Sequence, residues 1–277
     1  MKLFLQILGG LLLAAFLTLA TQVGAIVVLL WWPIRLLLRR TLKRVKYAKW
    51  IRAGAFMVWW CLCSLVIIPL LAPPLSGREA MPVWSNPHLK PQHIGYALLN
   101  RHYVRPQLKT LLEESAAALD KKYPGTVTAY LDCCFPFRNG YPLLPHLSHN
   151  DGKKADLAFF FKDAESDEYL PLKARTVIAY GGSVPPRANE YNQPAACAKK
   201  GYSQYSAMCK YFPQIESRAF DAERTREMLR ILARHPNTGK LLLEPHIKSR
   251  LRLGSYHNIR FHGCKAVRHD DHVHVQL

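Results

Sequence analysis

The chain has 277 residues, of which 49% are hydrophobic, and a formal net charge of +19 at pH 7. A charge of this size can reflect binding to nucleic acid, to anionic lipid or to another acidic polymer. Nine of the Lys and Arg residues lie in residues 1–77, which contain no acid, and no basic motif interleaved with aromatic residues follows them. We therefore predict no nucleic-acid partner.

Two long apolar segments begin the chain. Residues 3–34 carry no charge, and residues 53–75 contain no ionisable group except Cys61 and Cys63. A helix needs about 20 apolar residues to cross a bilayer, and the first segment is too long for the core of a cleaved signal peptide. We expect residues 1–75 to form two transmembrane helices in a lipid bilayer, rather than a signal sequence or a buried hairpin of a soluble domain.

The loop between these segments, residues 35–52, carries eight Lys or Arg and no acid. By the positive-inside rule this loop is cytoplasmic, and both chain termini then lie on the opposite side. The pattern predicts a multi-pass membrane protein whose C-terminal domain faces the periplasm or another extracytoplasmic space. Such an oxidising space permits disulfides, and we predict a pair between Cys197 and Cys209.

After the membrane segments, residues 76–93 are predicted to be a proline-rich linker and residues 94–277 a single domain. Its elements do not alternate regularly, so we predict an α+β fold with a small antiparallel sheet and flanking helices. The long insert at 162–215 is either a substrate-binding or lid element or ordinary surface elaboration. The predicted helices span 108–122, 221–233 and 245–251, and the predicted strands span 126–132, 157–161, 241–243, 258–262 and 271–277.

The last nine residues, His-Asp-Asp-His-Val-His-Val-Gln-Leu, contain the first chemical signal. Their Val-x-Val-x-Leu pattern favours a strand, in which side chains two apart point to the same face. His272 and His274 then stand side by side, while Val273 and Val275 face the core. Two imidazoles held in this way can share one metal ion.

A second polar cluster lies 120 residues upstream. It contains His149 and, seven residues later, Asp156, with Gly152 between them to allow a turn. The apolar run from Leu157 reads as a strand that would fix Asp156 in place. A zinc site needs at least one more protein ligand beside the two histidines, and these two residues are the natural candidates.

Together the two clusters resemble those of the zinc peptidases of the hedgehog/D-alanyl-D-alanine peptidase fold, and within that group the penicillin-insensitive murein endopeptidases. The resemblance covers residues 126–160 and 238–277, and it includes Leu131-Asp132, Gly140 and the Leu-Leu-Leu-Glu-Pro run at 241–245. It implies a membrane-anchored enzyme that hydrolyses amide bonds in the stem peptides or cross-links of peptidoglycan. Residues 162–215 match no pattern of this group.

The resemblance also assigns roles to individual residues. It implies one Zn²⁺ per chain with His149, Asp156 and His274 as ligands, and His272 left to move a proton or stabilise an oxyanion. His269 and His146 match further histidines of the family and are expected to line the catalytic pocket, His146 on the substrate side. The alternative is a non-catalytic, zinc-stabilised module of the same fold that binds cell wall or protein.

Two acidic residues near the site have open roles. Asp271 either orients an imidazole or caps a turn. Glu244 is placed as a general base would be in other zinc peptidases. Because Pro245 begins a helix, we predict that Glu244 instead caps it.

Overall fold

The computed structural model describes residues 2–204 and 211–277. Its first element corrects the expectation of one helix over residues 3–34, because that segment divides into two helices at Gln22. Gln22 adopts a left-handed backbone conformation with φ 67°, and Gly24 lies so close to Leu17 that a Cβ on it would fall 2.2 Å from the Leu17 carbonyl carbon. The two helices are α1 (Lys2–Thr21) and α2 (Gly24–Thr41).

The third helical segment runs without interruption from Ala48 to Ser76. It comprises α3 (Ala48–Leu62), a π-helical turn (Cys63–Ile67) and α4 (Ile68–Ser76). Its 29 residues make it roughly 43 Å long, more than the 30 Å of a bilayer core. Within residues 2–204 and 211–277 it is the one helix long and apolar enough to cross a membrane, where two had been expected.

The turn between α1 and α2 and the C-terminal end of α4 contact residues 77–277, hereafter the C-terminal domain. The Gln22 side chain accepts hydrogen bonds from the backbone N–H groups of Phe137 and Arg138, and the Ser76 hydroxyl donates to the Pro136 carbonyl. The α1–α2 turn and the end of α4 therefore meet the C-terminal domain together. The Lys2 end of α1 then lies at the same end of the helices as the basic loop, not opposite it as predicted.

The predicted linker at 76–93 is part of the fold. Its strand β1 (Glu79–Ala80) pairs with β3 (Tyr103–Val104), and β2 (Leu89–Pro91) joins the main sheet. Met81 and Leu89 are fully buried in the main hydrophobic core. Each buried apolar side chain of this size contributes about 1.5–3 kcal/mol, so the segment is held firmly against the domain.

The main sheet has six strands in the order β2-β4-β5-β10-β8-β9. Its centre is antiparallel, as predicted, but β2 pairs with β4 and β8 with β9 in parallel. The remaining strands β6 and β7 form a separate pair. The strands not yet delimited are β4 (Thr128–Tyr130), β5 (Lys154–Ala158), β6 (Phe161–Asp163), β7 (Arg218–Phe220), β8 (Lys240–Leu242), β9 (Ile259–Arg260) and β10 (His272–Gln276).

Helices flank the sheet, so the predicted α+β character is confirmed. They are α5 (Gly95–Leu98), α6 (Pro106–Lys122), α7 (Gln193–Lys199), α8 (Ala222–Arg234) and α9 (Pro245–Arg250). The leucines of α6 recur at helical spacing and are buried against α8 and the sheet. The Asp221 carboxylate accepts a hydrogen bond from the Arg224 backbone N–H and so caps α8.

The disulfide joins Cys197 to Cys264, so the predicted pairing of Cys197 with Cys209 is wrong. Cys209 itself lies outside the described residues. The bond ties α7, within the insert, to the loop between β9 and β10. Twelve residues of sequence separation favoured the local partner, but the fold brings a residue 67 positions away beside Cys197.

Candidate metal centre

The sheet register brings the predicted ligands together. His274 on β10 is the direct cross-strand partner of Asp156 on β5, so both side chains rise from the same face. His149 reaches the same point from the segment that precedes β5, after which Gly152 makes the turn with φ 79°. All three side chains are buried, and the predicted convergence is confirmed.

One donor atom of each residue points at a common centre. His149 Nε2 lies 3.0 Å from His274 Nδ1 and 3.2 Å from Asp156 Oδ1, and His274 Nδ1 lies 2.9 Å from Asp156 Oδ1. Ligands of tetrahedral zinc at their usual 2.0–2.1 Å are roughly 3.3 Å apart. The three residues therefore fit a metal ion, and across the described ranges they are the one group of this kind.

A hydrogen bond determines which ring nitrogen of His149 is free to bind a cation. His149 Nδ1 lies 2.8 Å from the Cys133 carbonyl oxygen, which can only accept, so in the neutral ring Nδ1 holds the proton and Nε2 is free to bind a cation. Burial opposes charge on His149, but the carboxylates of Asp156 and Asp132 and the Cys133 carbonyl together raise the pKa of His149. The pocket thus stabilises positive charge at the centre of the cluster.

The second carboxylate oxygen of Asp156 is held by the insert. Tyr180 donates its phenolic O–H to Asp156 Oδ2 at 2.8 Å and accepts a hydrogen bond from the Asp132 backbone N–H. Burial alone would raise the pKa of Asp156, but the imidazoles of His149 and His272 keep it well below its usual value. Asp156 is therefore an ionised carboxylate with one oxygen facing the cluster and one fixed by Tyr180.

His272 lies on the same face as His274, as predicted, and is paired with Asp271. Its Nδ1 contacts Asp271 Oδ1, while the other oxygen of Asp271 accepts a hydrogen bond from the Gly181 backbone N–H at 2.5 Å. His272 Nε2 lies 3.6 Å from Asp156 Oδ2 and has no hydrogen-bond partner among the residues described. Asp271 therefore orients an imidazole, the first of its two predicted roles.

The charge of His272 follows from these neighbours. Burial disfavours the imidazolium ion, but the carboxylates of Asp156 and Asp271 raise the pKa of His272 to about 9. By contrast, burial lowers the pKa of the ligand His274 to about 4. The two imidazoles of one strand face thus differ in charge at neutral pH, one suited to hold a proton and the other to offer a lone pair.

His146 is anchored by a chain of charged groups. Its Nδ1 lies 2.8 Å from Asp132 Oδ2, and Arg101 forms two hydrogen bonds with the Asp132 carboxylate, at 2.6 and 2.7 Å. This fork geometry holds the carboxylate in one orientation. His146 is therefore fixed beside the cluster, with its ring centroid 4.6 Å from that of Tyr180.

His269 belongs to a buried group on the other side of His272. Its ring centroid is 4.8 Å from that of His272 and 4.3 Å from that of His262. His262 Nε2 contacts Glu244 Oε1 at 3.1 Å. Glu244 occupies the position before α9, but its side chain makes no capping hydrogen bond, so the predicted cap is wrong. Its carboxylate contacts the His262 imidazole instead.

Two cavities lie beside the cluster. One, of about 490 Å³, has a largely apolar surface and touches His146, Tyr180 and His272 but none of the three predicted ligands. The other, of about 410 Å³, touches all three predicted ligands and His269. Pro145, His146 and Val267 line both, so the two cavities are adjacent at this wall.

Residues that the sequence did not single out complete the site. Tyr180 and Gly181 come from the insert at 162–215, which is therefore more than surface elaboration, and Arg101 and His262 contribute from outside both motifs. No protein-family model matches the chain, and no curated protein matches it. The assignment of a function therefore depends on the geometry of this site.

Proposed function

We propose that the chain is a membrane-anchored zinc metallopeptidase that hydrolyses amide bonds in peptidoglycan stem peptides or cross-links. The observation that carries the proposal is the convergence of His149, Asp156 and His274 within about 3 Å of one another, beside the unpartnered Nε2 of His272. Two neutral imidazoles and one carboxylate are a common donor set of catalytic zinc. The proposed fold is that of the hedgehog/D-alanyl-D-alanine peptidases.

Zinc held by these three residues would polarise the scissile carbonyl and activate water. His272 holds a proton at Nε2, which lies beside Asp156 and has no hydrogen-bond partner among the described residues. It can donate that proton to the leaving amine or stabilise negative charge on the carbonyl oxygen. Asp271 and Gly181 keep the imidazole in this orientation, and Asp132 and Arg101 do the same for His146 on the substrate side.

Membrane attachment is supported by the exposed surface of the first 76 residues. Most of the large apolar side chains that the structure leaves exposed lie there, and in α3 and α4 they recur along one face from Ile51 through Val58, Leu62, Val66 and Leu70. Such a surface is stable only against an apolar medium. With the basic loop on the cytoplasmic side, the C-terminal domain lies in the periplasm of a bacterial inner membrane.

The second candidate is a non-catalytic, zinc-stabilised module that binds cell wall or protein. A purely structural zinc ion is closed by four protein ligands, whereas in the described residues three donor atoms meet at the cluster. The cavity of about 410 Å³ that all three residues line also favours catalysis.

Digestion of purified murein sacculi separates these candidates. The full chain in detergent, loaded with zinc, should release soluble fragments whose masses show one hydrolysed amide bond, and a chelator should stop the release. Sacculi that bind the protein without any release of fragments would support the non-catalytic module.

A further inference from the structure

The cavity of about 410 Å³ beside the cluster has a basic wall, which the proposed catalytic chemistry does not use. Its cationic side chains are Lys240, Arg260 and Lys265. Asp156 is the one acid in its lining among the residues described, and that carboxylate faces the metal ligands. The adjacent cavity of about 490 Å³ has a different character, since its surface is largely apolar and its lining carries acids, Asp132 and Asp271, as well as arginines.

Sheet register fixes the position of the basic wall relative to the cluster. Asp156 pairs with His274, His274 with Leu242, and Leu242 with Arg260. Directly paired residues share a face, so these four side chains form one row across β5, β10, β8 and β9. Arg260 stands two strands from His274, a separation of roughly 10 Å.

The cations of this wall are available to a ligand. Arg260 and Lys265 are exposed and Lys240 is half-buried, and across residues 2–204 and 211–277 none of the three forms an ion pair. Lys154 makes the contrast clear, because it lies in the same sheet one row away and its Nζ is 2.6 Å from Asp151 Oδ2. The three cavity cations have no such partner among the described residues.

We propose that the basic cavity is a subsite for a carboxylate of the substrate. This inference rests on the proposed function and specifies its substrate class: a peptide that carries a carboxylate within about three residues of the scissile amide, since an extended chain advances about 3.3 Å per residue. Arg260 supplies a planar pair of donors for the carboxylate, and Lys240 and Lys265 supply point charges.

The test uses the full chain in nanodiscs of neutral phosphatidylcholine. The probe is a cross-linked muropeptide dimer, compared with the same dimer after its carboxyl groups have been converted to amides. We expect amidation to raise KM about tenfold or more with little change in kcat. Lys240→Glu combined with Arg260→Glu should raise KM for the native dimer similarly and should abolish the difference between the two probes.

Lys121→Glu is the matched control for a single replacement such as Lys265→Glu. It makes the same charge change at an exposed lysine of α6 that lines neither cavity. Lys265→Glu, on a loop rather than a strand, gives a second variant should the strand variant fold poorly. Equal KM values for the two probes with wild type, or unchanged discrimination in both cavity variants, would overturn the subsite.

Binding measured with the metal removed separates this inference from the proposed function. If the native dimer binds more tightly than the amidated one but is never hydrolysed, the subsite stands and the peptidase proposal fails. If both dimers are hydrolysed with equal KM, the peptidase proposal stands and the subsite fails. Competition by anionic phospholipid vesicles, without any effect of amidation, would assign the basic wall to a lipid headgroup and also overturn the inference.

Discussion

Asp156 is the residue on which the site depends most, because both of its carboxylate oxygens are used. One oxygen faces His149 and His274, and the other accepts the phenolic O–H of Tyr180. Groups that orient metal ligands in this way typically change metal affinity by 10- to 100-fold when removed. If the cluster holds the proposed metal ion, the insert contributes to its binding although none of the insert's described residues is a ligand.

Tyr180→Phe tests this contribution. The substitution keeps the ring and removes only the hydrogen bond to Asp156, so zinc affinity should fall by roughly 10- to 100-fold, measured by competition with a chromophoric chelator. Tyr169→Phe is the control, since Tyr169 belongs to the same insert but contacts the Val127 backbone away from the cluster. Equal affinity in the two variants would contradict the orienting role.

The charge of His272 gives a second prediction at this scale. The nearby carboxylates raise its pKa to about 9 against the effect of burial, so Asp271→Asn removes negative charge and lowers that pKa. If hydrolysis needs the imidazolium form, the alkaline limb of the kcat profile should move to lower pH in the variant. An alkaline limb that stays in place would show that His272 does not supply the proton.

At the scale of residues, the place of His274 in the cluster could be predicted because a strand has a fixed period of two. His272 and His274 share a face and Val273 and Val275 share the other, as a Val-x-Val pattern predicts. Tyr180 and Gly181 were not predicted, since they lie in an insert without periodicity. Glu244 was misassigned because its position before a proline indicates a helix cap, whereas its tertiary partner His262 is 18 residues away.

At the scale of elements, the disulfide and the central strands determine the shape of the site. Cys197–Cys264 connects the insert to the loop from 261 to 271, which contributes His262, Lys265 and His269 to the basic cavity. The strands at 126–132, 241–243, 258–262 and 271–277 could be predicted from short apolar runs, but the strand predicted at 157–161 is wrong, because β5 covers Lys154–Ala158 and β6 begins at Phe161. The disulfide partner could not, because connectivity is decided by the fold and not by spacing.

Cys264→Ser should destabilise the domain by roughly 2–4 kcal/mol, since the bond closes a long loop. The thermal midpoint should fall, and limited proteolysis should cut more rapidly in the insert and in the 261–271 loop. A reducing agent should lower the midpoint of the wild type toward that of the variant and leave the variant unchanged. A variant as stable as the oxidised wild type would contradict the pairing.

At the scale of the whole molecule, the C-terminal domain is fixed to the helices and does not hang from a linker. Trp60 in α3 donates its indole N–H to the Leu98 carbonyl at 2.9 Å, and Ser64 donates to the same oxygen. Leu98 ends α5, and neighbouring residues Tyr96 and Leu99 line the apolar cavity. The site is therefore held close to the helices that we propose lie in the membrane.

The arrangement of the helices predicts a topology. Because the Gln22 turn and Ser76 both contact residues 136–138, Lys2 should share the cytoplasmic side with the basic loop. Lys2→Cys and Lys43→Cys should both resist a membrane-impermeant thiol reagent in intact cells, whereas Glu165→Cys in the C-terminal domain should react. Reaction at Lys2→Cys but not at Lys43→Cys would contradict this arrangement and support the two-helix hairpin expected from the sequence.

The sequence underestimated the number of helices for a physical reason. A hydropathy pattern recognises the apolar run over residues 3–34 but not the turn inside it, which depends on one left-handed residue and on close contact at Gly24. The basic loop could be recognised because its eight Lys and Arg residues lie close together, within residues 35–52.

The most direct test of the central claim measures zinc and hydrolysis on the same preparations of wild type and His272→Ala. His272 lies outside the three-ligand cluster, so the variant should keep one zinc per chain by elemental analysis. Its release of murein fragments should be slower by on the order of 10²–10⁴-fold. Loss of zinc together with His272 would make this residue a fourth ligand and the site structural, and a zinc-loaded wild type that releases no fragment would contradict the account.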